Sequence, residues 1–238
     1  MEVKVEVPDT ILENRVVGHG LSSWVFRVDA VAKCYFSGQP ELRQREIAIY
    51  QRLTLAYGES HERIVPFFGV LDDSLLLEYQ PNGSIRQYRK TGPQPIPLKL
   101  RLRWAEQVAS GVAFIHSKGV LHGDLSCNNI FLDANLDAKI GDFSGSSIDG
   151  LPFLTVYETS HALPGDDSVS IKRDLFALGS TFYEVITGHT PFHDKDAHEI
   201  EILFNQGQFP TLQDVPAGDL ILRCWKGRYT SIPEVLDD

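Results

Sequence analysis

The sequence predicts an α+β fold of two lobes, a small antiparallel β-sheet lobe with one helix over residues 1–80 and a larger, mainly α-helical lobe over residues 81–238. Three observations carry this prediction. Short β-prone runs crowd the first 80 residues, Pro81, Asn82 and Gly83 then break the pattern as a turn, and apolar residues beyond it recur at helical spacing.

Taken in order, residues 15–17 and 23–28 flank Gly18 and Gly20 and read as a hairpin closed by a glycine turn, with residues 30–35 as a third strand. Residues 41–53 form the first helix, on which Glu46 shares a face with Ile49, Tyr50 and Leu53 at spacings of 3, 4 and 7. The runs 64–71 and 74–79 close the sheet. After a loop at 91–97, apolar Leu98, Leu102, Ala105, Ala109, Val112 and Ile115 keep a helical period for five turns. Residues 129–133 and 138–142 are short strands around the turn 134–137. Residues 175–186 are apolar on nearly every side and end at Gly188, which makes them a buried helix. Smaller helices follow at 195–205 and 219–225.

Composition excludes several classes of function. A hydrophobic fraction of 42% and a charged fraction of 23% belong to an ordinary folded protein. No apolar run approaches the roughly 20 residues that span a bilayer, and residues 1–9 alternate valine with charge, so neither a membrane role nor a secretion signal is expected. A cytoplasmic or nuclear protein is the expectation. Cys34, Cys127 and Cys224 are far apart and suggest neither a disulfide framework nor a zinc site. The net charge of −10 argues against nucleic acid as the main partner, because neutralising phosphates takes a basic face. The densest basic stretch, Arg86, Arg89, Lys90, Lys99, Arg101 and Arg103, reads as a solvated surface in preference to a docking site.

Candidate chemistry lies in four places. The loop from Gly18 and Gly20 to Val25 lets the backbone approach a triphosphate and offer it N–H groups. Lys33 ends the apolar strand, and the inward face that carries Glu46 demands a cation for that carboxylate, which Lys33 supplies. Within the run Leu-His-Gly-Asp-Leu-Ser-Cys-Asn-Asn-Ile-Phe-Leu at 121–132, Asp124 and Asn129 sit five residues apart ahead of a strand, and Asp142 ends the next strand before Phe143. Magnesium takes one or two carboxylates together with substrate phosphates. Asn129 and Asp142 are therefore the candidate metal ligands, and Asp124 the acceptor of a hydroxyl proton.

In this order, over essentially the whole chain, these motifs resemble those of a eukaryotic protein kinase of compact fungal type, active or pseudokinase. The resemblance implies ATP and Mg2+ as cofactors and transfer of the γ-phosphate to a protein hydroxyl, serine or threonine before tyrosine. It implies that Lys33, held by Glu46, orients the phosphates under Gly18 and Gly20. Leu77 becomes the gatekeeper, Glu78 to Gln80 the hinge beside adenine, and Val25, Ala32 and Phe131 the walls around the base. Asp174 resembles the aspartate that braces the catalytic loop. A protein substrate or docking partner follows, of no identity the sequence names.

Four departures from that pattern stand out. Gly123 replaces the arginine that clamps a phosphorylated activation segment, so Ser144, Ser146, Ser147, Thr155, Tyr157, Thr159 and Ser160 read as loop residues without a switch role. Ser126 replaces a lysine, and Asn128 an arginine, that would neutralise the transferred phosphoryl group. Ser144 replaces a glycine after the metal aspartate, which predicts a stiffer loop. Leu163, Pro164 and Gly165 stand where a glutamate that makes a buried ion pair normally ends the segment, which predicts a looser or differently shaped docking loop. These departures favour a non-transferring pseudokinase as the competing reading, and a small-molecule kinase is a third.

Overall fold

Residues 16–19, 24–54, 61–165 and 168–238 are described by a computed structural model, with side chains from residue 27 onward. Strands β1 (Val16–His19) and β2 (Trp24–Phe26) pair antiparallel as the sequence predicts, with an irregularity between Val16 and Gly18. Strands β3 (Ala30–Lys33), β4 (Phe67–Leu71) and β5 (Ser74–Glu78) form an antiparallel sheet in the order β3-β5-β4. Helix α1 (Pro40–Leu53) begins at a proline, whose fixed φ suits the first helical turn, and buries Glu46, Ile49, Tyr50 and Leu53.

The second lobe opens with α2 (Ile85–Thr91), a helix inside the basic stretch read as a solvated helix and loop surface. Its start is fixed by a capping box in which the Ser84 hydroxyl accepts from Gln87 N–H and the Gln87 side chain accepts from Ser84 N–H. Helix α3 (Leu98–Ser117) follows, with Trp104, Val108, Val112 and Ile115 buried. Strand β6 (Val120–Leu121) leads into the loop that carries Asp124. Strands β7 (Ile130–Leu132) and β8 (Ala138–Ile140) pair with each other, and β9 (Ser147–Ile148) pairs with β6.

Helix α4 (Ile171–Thr187) is buried continuously from Arg173 to Ile186 and ends at Gly188, whose φ of 100° gives the left-handed cap. A Cβ at Gly179 would lie 2.7 Å from Cys224, so glycine lets α6 (Gly218–Trp225) pack directly on α4. Helices α5 (Ala197–Asn205) and α7 (Ile232–Leu236) complete the lobe. Two lobes of unequal size therefore meet where β5 runs into α2, a sheet with one helix on one side and a helical body on the other. Among the described residues no helix is long and apolar enough to cross a membrane.

The basic stretch is solvated only in part: Lys90, Lys99 and Arg103 are exposed as expected, whereas Arg86, Arg89 and Arg101 are half-buried. Arg89 donates to Val185 O and Arg101 to Ile186 O at the end of α4, Arg103 donates to Asn135 O and Leu136 O, and Arg86 enters an ionic cluster described below. Guanidinium groups near a helix C-terminus satisfy carbonyls that have no partner in their own helix. Sequence order alone hid this, because the α4 carbonyls lie 96 and 85 residues away and those that Arg103 meets 32 and 33.

Candidate active site

Lys33 projects from β3 into the cleft between the lobes, with Nζ 2.8 Å from Glu46 Oε2 and 2.8 Å from Asp142 Oδ1. Glu46 is wholly buried and has two further partners, the Phe143 N–H at 2.9 Å and the Tyr35 hydroxyl, both donating to it. The face argument made from the helix spacing thus ends in a satisfied ion pair. Burial tends to lower the Lys33 ammonium, yet the two carboxylates outweigh it and hold the group above its ordinary range. Burial likewise pushes Asp142 up, but Lys33 and a hydrogen bond from Ser144 bring it below the usual carboxylate range. Both partners stay charged.

Asp142 has a left-handed backbone, φ 59°, and Ser144 Oγ donates to its Oδ1 at 2.8 Å. A non-glycine residue in that region is strained, and such strain persists where surrounding contacts over-determine it. The serine in place of glycine supplies one of those contacts. In the loop after β6, Asn129 Nδ2 donates to Asp124 O at 2.7 Å and to Asp124 Oδ2 at 3.0 Å, which leaves the Asn129 side-chain oxygen free of that bond. Burial raises the Asp124 carboxyl, helped by the charges of Glu158 and Asp142, against the pull of His122 and Asn129.

The cleft encloses about 320 Å3 and is lined by Val31, Lys33, Val65, Leu77, Glu78, Gln80, Phe131 and Asp142, with Tyr50 at its back. Ala32 is not among its walls. Side chains alternate along a strand, so the face that presents Lys33 also presents Val31, and Ala32 points the other way. Val31 takes the place expected of Ala32. Phe131, Glu78 and Gln80 line the cleft, and Gln80 donates from Nε2 to the Glu78 carboxylate at 3.0 Å. Gly18 lies in β1, opposite Val25 in β2. Gly20 lies outside the described residues.

Asp174, at the start of α4, accepts from His122 N–H at 2.7 Å, Gly123 N–H at 3.1 Å and the Tyr157 hydroxyl at 2.7 Å, and pairs with His116 Nε2 at 2.8 Å. The catalytic loop is thereby hung from the most buried helix. Gly123 has φ 79°, and a Cβ there would come within 2.4 Å of the Phe153 ring. An aromatic of the activation segment fills the space in which an arginine was expected.

That segment is anchored without phosphate. Arg45 of α1 donates to Ser146 O at 2.8 Å and Pro152 O at 2.9 Å, and Arg52 makes two bonds to Asp149. Ser146, Ser147, Tyr157 and Ser160, expected to be loop residues without a switch role, each make a hydrogen bond that ties the segment down. Near the segment's end, Ser160 and His161 are buried in a 3₁₀ turn (Thr159–His161), and His161 lies 3.4 Å from Glu184.

A lysine paired with a helix glutamate and a metal-type aspartate, facing an aspartate–asparagine loop hung on a buried helix, matches the protein kinase domain family, whose sequence model spans residues 17–226. The chain belongs to that family. Kinases resemble it at modest identity. CBL-interacting protein kinase 25 of Oryza sativa subsp. japonica is 28% identical over 226 residues, covering 84% of this chain and 42% of the relative. Cell cycle serine/threonine-protein kinase CDC5/MSD2 of Saccharomyces cerevisiae is 28% identical over 213 residues, 83% and 29%. Mitogen-activated protein kinase kinase kinase 3 of Mus musculus is 25% identical over 198 residues, 75% and 30%. The chain spans less than half the length of these curated relatives.

Kinase motifs led to Lys33, Glu46, Asp124, Asn129 and Asp142, but not to Tyr35, Arg45, Arg86, Glu158 or Glu184. Strand alternation two residues beyond Lys33 is the one signal that points to Tyr35. The others carry no local signal, since their partners are distant in the chain.

Proposed function

We propose that this chain is an ATP-dependent protein kinase that transfers the γ-phosphate to a serine or threonine hydroxyl of another protein. The observation that carries it is the charged set Lys33, Glu46 and Asp142 at one wall of a nucleotide-sized cleft, with the Asp124–Asn129 loop bonded beside Asp142 through Gly141 N–H to Asn129 O at 3.1 Å. The donors fit magnesium-ATP. Among the described residues no cluster of three or more histidine, cysteine, aspartate or glutamate side chains could hold a metal. A site with one carboxylate and one amide oxygen must borrow phosphate oxygens, which is how magnesium is bound in nucleotide sites. Asn129 and Asp142 would hold it. Bound magnesium-ATP supplies the phosphoryl group and neutralises its charge.

The remaining work falls to the chain. Lys33, kept in place by Glu46, pairs with the phosphates and aligns them; Val31, Leu77 and Phe131 hold the base in an apolar slot. Asp124 accepts a hydrogen bond from the acceptor hydroxyl and takes its proton as the new phosphorus–oxygen bond forms, while the bond from the γ-phosphorus to the β–γ bridging oxygen breaks and ADP leaves with that electron pair. Positioning and electrostatics supply nearly all the acceleration in this chemistry.

The test is a thermal-shift titration with ATP, with and without magnesium, beside radiolabelled transfer to generic protein substrates. Magnesium-dependent stabilisation with labelled serine or threonine product is expected. Stabilisation without product at high enzyme concentration would establish the pseudokinase reading in its place.

A further inference from the structure

Ser126 stands where the catalytic loop was expected to carry a cation, and its surroundings show what replaced it. Its side chain is fully buried, and its Oγ donates to Glu158 Oε1 at 3.0 Å. Glu158 is gripped in turn by Arg86, whose two terminal nitrogens reach its oxygens at 2.6 and 2.7 Å. The same guanidinium donates twice to Glu184 of α4, a carboxylate with 4% exposure. One arginine from the capped first turn of α2 thus ties the activation segment to the helix that carries the catalytic loop.

We propose that Glu158, clamped by Arg86, is a positioning residue for phosphotransfer: through Ser126 it fixes the loop that presents Asp124 and Asn129. Three further contacts place Ser126 at the centre of that loop. Its Oγ accepts from Asn128 N–H at 3.4 Å, its carbonyl accepts from Asn129 N–H at 3.0 Å, and the Arg86 backbone N–H donates to Cys127 O at 3.3 Å. A displaced Ser126 therefore displaces Asn129, and with it the amide that holds Asp124. In the catalytic loops this sequence resembles, a lysine at this position acts on the phosphoryl group by charge. Here a carboxylate anchors the loop mechanically and brings no cation to the reaction.

Each charged side chain among Arg86, Glu158 and Glu184 has an opposite charge within hydrogen-bond distance, which is the condition under which a buried polar network specifies one geometry instead of loosening it. Burial pushes Glu158 and Glu184 up, but Arg86 outweighs it and keeps both ionised, Glu184 at about 2. The clamp is therefore set across the working pH range, without a phosphorylation step.

The proposal rests on the kinase reading above, so its test includes a measurement that needs no activity. Ser126→Ala, Glu158→Ala and Glu158→Gln would be compared with the unsubstituted protein in phosphotransfer kinetics and in hydrogen exchange of the amides at 124–129. Glu158→Ala is expected to lower kcat by roughly 10²-fold, the cost of misplacing a reacting group by about 1 Å, with KM for ATP unchanged. Ser126→Ala should fall less, leave Arg86 and its carboxylates in place, and add nothing to the loss in Glu158→Ala when the two are combined. Glu158→Gln retains an oxygen for Ser126 and should recover much of the rate. Loop amides should exchange faster in both alanine variants while those of β3 and β5 do not. Unchanged exchange at 124–129, or multiplicative losses in the double variant, would overturn the clamp. If the unsubstituted protein transferred no phosphate, the kinase reading would fail, and the exchange comparison would still decide whether Glu158 holds the loop.

Discussion

The two sides of the cleft are built on different plans. On the nucleotide side, Lys33, Glu46 and Asp142 meet through single contacts of 2.8 Å, and each residue type is the one that triphosphate chemistry demands. On the acceptor side, Asp124 keeps its type, but the neighbourhood is rewired: a serine, two glutamates and an arginine form a satisfied cluster where one cation was expected. The ligand explains the contrast. A triphosphate and its metal constrain charge and distance together, so few side chains can serve. Holding a loop still requires only that its polar groups be satisfied, which many arrangements achieve.

Asp174 braces both the catalytic loop and the activation segment, and its removal should have the largest effect. Asp174→Ala would strand two backbone N–H groups, the Tyr157 hydroxyl and His116 in the interior, at a cost of about 3–5 kcal/mol of stability. Denaturant melts would measure it. Burial pushes the Asp174 carboxyl up, but His116, His122 and Tyr157 outweigh it and hold it at about 2. Its stabilisation is therefore complete above the unfolded carboxylate range, near pH 4, and is lost as pH falls from about 4 towards 2. Asp174→Asn should flatten that part of the pH profile. A profile of unchanged steepness would mean that Asp174 does not couple the halves through its charge.

Next in size are Lys33→Met and Asp142→Asn, which remove charges aimed at the phosphates and should each lower phosphotransfer by roughly 10²–10³-fold with the fold retained. Arg86→Lys, which breaks a two-carboxylate grip on the acceptor side, should cost less, because an ammonium still offers charge but cannot fork. Equal losses on the two sides would break the comparison drawn above. Gly123→Ala comes third. It forces a side chain into φ 79° and against Phe153, at a cost of about 1–3 kcal/mol and with a loosened activation segment. Limited proteolysis of that segment reads the loosening directly, and a resistant segment would show that Phe153 is not its anchor.

How far the sequence disclosed this arrangement follows the same division. The lobe order, α1, α4 and the loop strands were legible because apolar periodicity reports local burial. Glu46 was legible because its helix face left it nowhere else to go. Ala32 was misplaced against Val31 by one residue, although the alternation from Lys33 already contained the answer. The path from Arg86 to Glu158 and Glu184 was not legible at all. Its members lie 72 and 98 residues apart, and nothing local to α2 marks Arg86 as inward-facing while five other basic residues surround it in sequence.

Tyr35 gives the finest test of the contrast, because it is the one nucleotide-side residue that the ligand does not dictate. Its hydroxyl donates to the Glu46 oxygen that also meets Lys33, and its ring lies under the Lys33 ammonium, 5.5 Å from Nζ to centroid. Burial and the Glu46 charge raise its proton affinity, so it stays a donor throughout the working range. Tyr35→Phe keeps the ring and the cation–π contact and deletes one hydrogen bond, worth about 1 kcal/mol. Glu46 then relies on Lys33 and the Phe143 N–H alone. The expected result is a small fall in thermal stability that magnesium-ATP largely restores, since bound phosphates fix Lys33 from the other side. A loss as large as that of Lys33→Met would mean that the tyrosine is part of the phosphate machinery, and the nucleotide side would then be as rewired as the acceptor side.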